Sequence, residues 1–220
     1  MADKIEALIF DLDGVLVNTI DLHFHAWKRI ADEAGVPFDR RDMDGLRGLQ
    51  RQESLQRILG DTVVDHAQWV RYSDRKDTYY NDVLQTVTPD DLLMPGAEAL
   101  IRAAREAGLK VGVASASLNA IPTLQRVGLF PLLDAVADGS TVPNSKPAPD
   151  IFIWVAGALR VRPVQAIVFE DATAGVQAAR AAGMKVIGLG LPHLVSAADR
   201  IFAGLHEVRL DDLLRDVLHV

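Results

Sequence analysis

The stretch Phe10-Asp11-Leu12-Asp13-Gly14-Val15-Leu16-Val17-Asn18-Thr19, which directly follows the apolar run from Ile5 to Ile9, decides the fold of this chain. Ile5 to Phe10 is nearly continuous in apolar residues, the pattern of a central parallel strand buried on both faces. At its carboxyl end stand Asp11 and Asp13, two residues apart. One aspartate there can end a strand or hold a turn by bonding nearby amides. A pair of like charges at a buried strand end instead needs a cation or a proton to compensate it. With Mg2+ present, Asp11 can stay ionised and attack phosphorus, while its neighbour coordinates or exchanges protons. Gly14 lets the chain turn sharply beside them.

Outward from this stretch the period changes. Leu22, Ala26, Trp27, Ile30, Ala31 and Ala34 recur at helical spacing over Asp21 to Ala34, and Gly35-Val36-Pro37 ends the pattern. Further helical stretches begin near Ser54 and run from about His66 to Leu84, with no strand between them. That is far more helix than a simple βαβ crossover needs, so residues 18–89 are expected to form an inserted α-helical cap domain. From Ala97 the chain alternates. Helices over Ala97 to Ala107, Asn119 to Val127, Pro149 to Leu159 and Gly175 to Ala182 interleave with strands over Lys110 to Ala114, Asp134 to Ala137, Ala166 to Phe169 and Val186 to Leu189. A last strand near Glu207 to Leu210 and a helix from Asp211 complete the expectation. Such alternation indicates an α/β fold with a doubly wound parallel sheet, its core assembled discontinuously from residues 1–17 and 90–220.

At 220 residues the chain can bury a substantial core, and 49% hydrophobic with 24% charged residues is ordinary for a globular protein. A formal charge of -7 argues against nucleic acid or an anionic membrane as partner. The absence of cysteine excludes disulfides and thiolate metal sites. Neither a secretory leader pattern at Met1 to Asp11 nor a run of about 20 apolar residues is found, so a cytoplasmic enzyme is expected.

Three more groups follow predicted strands, and a parallel sheet would carry them to the edge where Asp11 stands. Ser115-Ala116-Ser117-Leu118-Asn119 offers hydroxyls and backbone amides at a helix start, which suits an anion, although serine and asparagine are also good N-caps. In Ser145-Lys146-Pro147-Ala148-Pro149-Asp150 the bracketed lysine can offset charge in phosphoryl transfer; a solvated loop lysine is the alternative. The Lys146-Pro147 isomer is open. Glu170-Asp171, in Phe169 to Gly175, suits Mg2+ with one carboxylate coordinating and one supporting, or else is an acidic helix cap.

The order Asp-x-Asp, Ser, Lys-Pro, Glu-Asp resembles the haloacid dehalogenase (HAD) superfamily of aspartyl-phosphate phosphotransferases, with its HAD-like Rossmannoid core and helical cap. Within it the words Leu22-His23-Phe24-His25-Ala26-Trp27, Leu46 to Leu55, Ala114-Ser115-Ala116-Ser117 and Ser145 to Phe152 are similar to the family of β-phosphoglucomutases, over core and cap alike. The resemblance implies interconversion of β-glucose 1-phosphate and glucose 6-phosphate through β-glucose 1,6-bisphosphate, which is both activator and intermediate. It implies Asp11 as nucleophile and Asp13 as general acid/base, the protonated form of Asp13 being favoured by nearby negative charge or desolvation as the cap closes. Ser115, Ala116 and Lys146 would contact the transferring phosphate. One Mg2+ would be held by Asp11, the Asp13 backbone carbonyl and Asp171, with Glu170 supporting. Arg51, Ser117 and Asn119 would hold the distal phosphate, with Gly48 and Ser54 also binding substrate. Thr19 would lie at the cap hinge, and His23 would link the cap to Asp13; on its helical pattern alone His23 is a boundary residue packed near Trp27.

A cap keeps water from an aspartyl phosphate, and a cap arginine makes closure depend on a phosphorylated sugar. One departure is Leu118, where the family often has lysine. Arg51, Asn119 and backbone amides are expected to compensate, so that micromolar bisphosphate saturates normally; a large gain from Leu118→Lys would contradict this. Competing readings are a HAD-type phosphatase of small sugar phosphates, which shares every core residue, and a phosphonate hydrolase, disfavoured because the cap loop offers Arg47 and Arg51 rather than a Schiff-base lysine. A catalytically idle binding protein is the third. A monomer is expected.

Overall fold

The computed structural model describes residues 4–60, 62 and 65–217. In chain order it runs through β1 (Ala7–Phe10), α1 (Ile20–Ala34), α2 (Arg51–Leu59), α3 (His66–Thr86), α4 (Pro89–Leu92), α5 (Ala97–Glu106), β2 (Lys110–Ala114), α6 (Ala120–Arg126), β3 (Ala135–Ala137), α7 (Asp150–Leu159), β4 (Ala166–Glu170), α8 (Thr173–Ala181), β5 (Lys185–Leu189), β6 (Arg200–Phe202) and α9 (Leu210–Val217). A 3-10 helix over Arg40–Leu46 joins α1 to α2.

The strands form one sheet in the order β3-β2-β1-β4-β5-β6, every pairing parallel. The alternation along β1 explains its unbroken apolar sequence. Leu8 and Phe10 enter a cluster with α5, α6 and α9, while Ala7 and Ile9 enter another with α7 and α8. All four β1 residues are fully buried, so neither face can carry a polar side chain. Phe10 and Phe169, on paired strands, stack with ring centroids 4.7 Å apart. Because β2 and β4 flank β1, the residues after these strands meet at one edge, and the chain reverses its direction of travel across the sheet there.

A third cluster draws its buried residues from Leu22 to Leu92, including Trp27, Leu55 and Tyr80, and is separate from the two that line the sheet. The α3 start is set by Asp65, whose carboxylate accepts from the Gln68 amide at 2.7 Å while Gln68 bonds back to the Asp65 amide.

The last strand differs from the expectation. Glu207 to Leu210 does not pair into the sheet; Arg200–Phe202 does, beside β5. The edge position explains why no apolar run announces it, since Arg200 and Ile201 remain exposed. Leu210 instead joins Leu213 on the buried face of α9, a helical spacing rather than an alternating one. Helix α2 also begins at Arg51, before the expected Ser54. Among the described residues no helix is long and apolar enough to cross a membrane.

Candidate active site

Past the end of β1 the ladder continues for one residue, the Asp11 amide donating to the Phe169 carbonyl at 2.9 Å, and this fixes where the carboxylate emerges. Lys146 comes to it from the loop before α7. Its Nζ donates to Asp11 Oδ1 and Glu170 Oε1, each at 2.6 Å, and to the Ala114 carbonyl at 3.0 Å. With 1% exposure it is no solvated loop lysine. Burial acts to depress the ammonium, but Asp11 and Glu170 outweigh it and hold its pKa above the ordinary value. The Lys146-Pro147 bond is cis.

Glu170 spends its other oxygen on the Asp171 and Ala172 amides, at 3.0 and 3.1 Å. The residue at the α8 N-cap is Ala172, without a side-chain cap. Burial drives the Asp11 carboxyl well above its ordinary range; Lys146 opposes this, and Glu170, Asp171 and Asp13 add to it. Burial and Glu170 likewise push Asp171 up to about 7 against the pull of Arg47. Asp11, Glu170 and Asp171 each offer an oxygen, all within 4.8 Å of one another. A buried trio of hard anionic oxygens, whose mutual repulsion Lys146 and Arg47 offset only in part, fits a small divalent cation. Gly14 is what lets the chain pass so close: its φ is 89° and a Cβ there would lie 2.2 Å from Asp171 Oδ2.

Asp13 lies outside that trio. Its Oδ1 accepts from the Thr19 hydroxyl and meets His23 Nε2 at 3.2 Å. Thr19 occupies the α1 N-cap position but makes no side-chain cap, because its hydroxyl is committed to Asp13. Burial raises the Asp13 carboxyl, yet His23, the Thr19 hydroxyl and Lys76 together more than reverse this and its pKa is lowered. In the unliganded protein the donors and the cation of the helical layer thus outweigh burial and favour the ionised form of Asp13, so burial by itself does not supply the protonated form expected of it from the sequence. Burial and Lys76 in turn lower the His23 pKa against the pull of Asp13.

One cavity is lined by Asp11 and Asp13 on the sheet side, by Ala116 and Ser117 after β2, and by His23, Gly48, Arg51 and Ser54 from the helical layer. Ser115 is buried behind it, its Oγ accepting from the Ser117 amide at 3.0 Å, and Ser117 Oγ accepts from the Asn119 amide at 3.1 Å. Asn119 is at the α6 N-cap position without capping; its Nδ2 donates to Asp77 Oδ1 at 3.1 Å, and Arg51 Nη2 donates to the same oxygen. Leu118 lines the cavity as well. The two residues expected to compensate for it, Arg51 and Asn119, are therefore both engaged by a carboxylate.

Three participants were not singled out from sequence as site residues. Lys76 lines the cavity, is 3% exposed and packs over the Trp27 and Tyr80 rings at 5.3 and 4.9 Å. Burial foremost, with Arg51, lowers its pKa to about 8. The available signal was a lysine on the stripe Ser73, Lys76, Tyr80, Leu84, which is the buried face of α3. Asp77, its neighbour, bridges Arg51 and Asn119. Arg47 donates from Nη1 to Asp171 Oδ2 at 2.8 Å. Since this guanidinium neutralises a carboxylate of the acidic trio, Arg47→Ala is expected to tighten Mg2+ binding roughly threefold to fivefold, the size of a partly screened ion pair. Calorimetric titration of Mg2+ into both proteins checks it, and weaker binding by the variant would refute it. The helical layer is further bonded to the sheet edge by Gln50 to the Gly139 carbonyl (3.3 Å) and Ser145 Oγ to Glu53 (3.0 Å).

Comparison with known proteins shows the family and the fold. Residues 5–183 match the family model described as haloacid dehalogenase-like hydrolase. The chain is 37% identical over 218 residues to a β-phosphoglucomutase of Bacillus subtilis, covering 97% of this chain and 94% of that protein. It is also 31% identical over 191 residues to the fructose-1-phosphate phosphatase YqaB of Escherichia coli, covering 87% of this chain and 100% of that one. A crystal structure of β-phosphoglucomutase from Clostridium difficile superposes with a TM-score of 0.93 at 33% identity, covering 97% of each chain.

Proposed function

The chain belongs to the haloacid dehalogenase-like hydrolase family, and from that premise we propose that it is a β-phosphoglucomutase interconverting β-glucose 1-phosphate and glucose 6-phosphate. The observation that carries this reading is the single cavity in which Asp11 and Asp13 face Arg51, Ser54 and Lys76 of the helical layer. A phosphatase needs only the first pair and water. A mutase needs in addition a closed chamber with an anchor for a second anionic group, so that a sugar hydroxyl rather than water meets the phosphoryl group.

In this reading residues 18–89 are a cap that opens for exchange and docks for chemistry, with Thr19 at its hinge. The phosphorylated Asp11 donates its phosphoryl group to the 6-hydroxyl of β-glucose 1-phosphate. The hydroxyl oxygen bonds to phosphorus, the bond from phosphorus to the Asp11 oxygen breaks, and Asp13 takes the hydroxyl proton. The bisphosphate then turns end for end. Asp11 attacks the phosphorus of the 1-phosphate, the bond to the sugar oxygen breaks, and Asp13 returns its proton to that oxygen, leaving glucose 6-phosphate and phosphorylated Asp11. Asp13 starts as the ionised base that Thr19, His23 and Lys76 favour; the ligand's phosphate charge then raises its proton affinity for the return step. Lys146 and the Ser115 and Ala116 loop hold the transferring group at the sheet edge.

The residues that would hold Mg2+ are Asp11, Asp171 and the Asp13 carbonyl, with Glu170 in support. When bound, Mg2+ supplies the positive charge that keeps Asp11 ionised and offsets charge on the phosphoryl oxygens.

Phosphorus NMR of β-glucose 1-phosphate with Mg2+ and catalytic β-glucose 1,6-bisphosphate tests the reading. Glucose 6-phosphate is expected to accumulate with little orthophosphate. Orthophosphate formed faster than the isomer would make the protein a sugar-phosphate phosphatase, the activity for which YqaB is named.

A further inference from the structure

Asp77 sits where two donors from opposite sides of the cleft converge. Arg51 on α2 and Asn119 at the start of α6 both donate to its Oδ1, the second at 3.1 Å. A guanidinium and an amide N-H aimed at one anionic oxygen is the arrangement a phosphate oxygen requires. Two further polar atoms are left over: Arg51 Nε and Ser73 Oγ are buried and have no hydrogen-bond partner among the described residues. Both residues line a second cavity of about 310 Å3, which Trp69 and Leu118 wall on an apolar side. Arg51, Ala116 and Leu118 line this cavity and the one over Asp11 alike, so the two spaces adjoin. Buried donors without acceptors are rare in folded proteins, and a pair of them beside a cavity points to an anionic occupant.

We propose that Asp77 takes the place of the substrate's distal phosphate in the unliganded protein and is a specificity-determining residue, one that weakens binding of a second phosphate. The proposal deepens the sugar-phosphate reading above and rests on it. A distal phosphate must take Arg51 and Asn119 away from Asp77 while staying close to that carboxylate, whose like charge opposes it. Leu118 brings no cation to offset the repulsion. Ligands whose single phosphate lies at Asp11 avoid the conflict. The site therefore favours doubly phosphorylated sugars less than a site with a neutral residue at position 77 would. The opposite role for Asp77 is to orient Arg51 for phosphate, and the two roles predict opposite signs.

The test is calorimetric binding of β-glucose 1,6-bisphosphate and of glucose 6-phosphate, with Mg2+, to Asp11→Asn protein with and without Asp77→Asn. Asparagine keeps the shape and an acceptor for Asn119 but removes the charge. Bisphosphate is expected to bind about tenfold more tightly after Asp77→Asn, and glucose 6-phosphate to gain less. Asp77→Ala, which also removes the acceptor, should keep most of the gain, and thermal melts of each variant check folding. Unchanged or weaker bisphosphate binding overturns the proposal and assigns Asp77 to orienting Arg51. Failure of the mutase reading shows elsewhere, as orthophosphate release by the unaltered protein, and leaves the sign of the Asp77 effect readable. Failure of bisphosphate to bind any variant would overturn both.

Discussion

Asp11→Asn is expected to abolish turnover, by roughly 10^4-fold or more, without destabilising the metal-free protein. An amide cannot form the phosphoryl ester, whereas its oxygen can still accept from Lys146, which now lies 2.6 Å from the carboxylate. Burial and three neighbouring carboxylates raise the proton affinity of Asp11, so its charge is held against repulsion that the neutral side chain relieves. The melting temperature without Mg2+ should be unchanged or higher, and sugar-phosphate binding should persist. Residual turnover within tenfold of the parent would remove Asp11 from the chemistry. A fall in melting temperature would instead mean that its charge supports the fold.

Lys146→Met is expected to damage both stability and activity. The ammonium is the shared partner of Asp11 and Glu170 at 2.6 Å each, and all three groups are buried. Removing one member of a buried ion cluster leaves charge uncompensated, which costs about 3–5 kcal/mol. Urea unfolding measures this. Loss of a cation beside the transferring phosphoryl group should also lower kcat by roughly 10^2-fold to 10^3-fold. If stability changes by less than about 1 kcal/mol, the trio is not held by Lys146 as described.

The contrast between these two variants shows what sequence alone conveys. Asp11, Lys146 and Glu170 were legible because each follows an apolar strand or lies between prolines, and a parallel sheet must bring such strand ends together. The alternative capping role is not what Asn119 does, since it reaches Asp77, while Glu170 divides its oxygens between Lys146 and the Asp171 and Ala172 amides just before α8. The contribution of the helical layer was less legible. Lys76, Asp77 and Arg47 are charged residues on a helix or loop, and such residues ordinarily face solvent; here Lys76 is buried against the Trp27 and Tyr80 rings of the helical layer, and Arg47 reaches Asp171. The same layer explains the ionised bias of Asp13, since its sign depends on whether burial or the surrounding donors win. Strand β6 was hidden for a different reason, because an exposed three-residue edge carries no hydrophobic pattern.

The claim on which the account turns is that the phosphoryl group passes through Asp11. Protein mixed briefly with β-glucose 1,6-bisphosphate and Mg2+, quenched in acid and digested, should yield the peptide spanning Phe10 to Thr19 with a phosphoryl group on Asp11, and the label should vanish when glucose 6-phosphate or β-glucose 1-phosphate is added before the quench. A protein that turns over sugar phosphate while this peptide stays unmodified, or that carries the group on another residue, would contradict it.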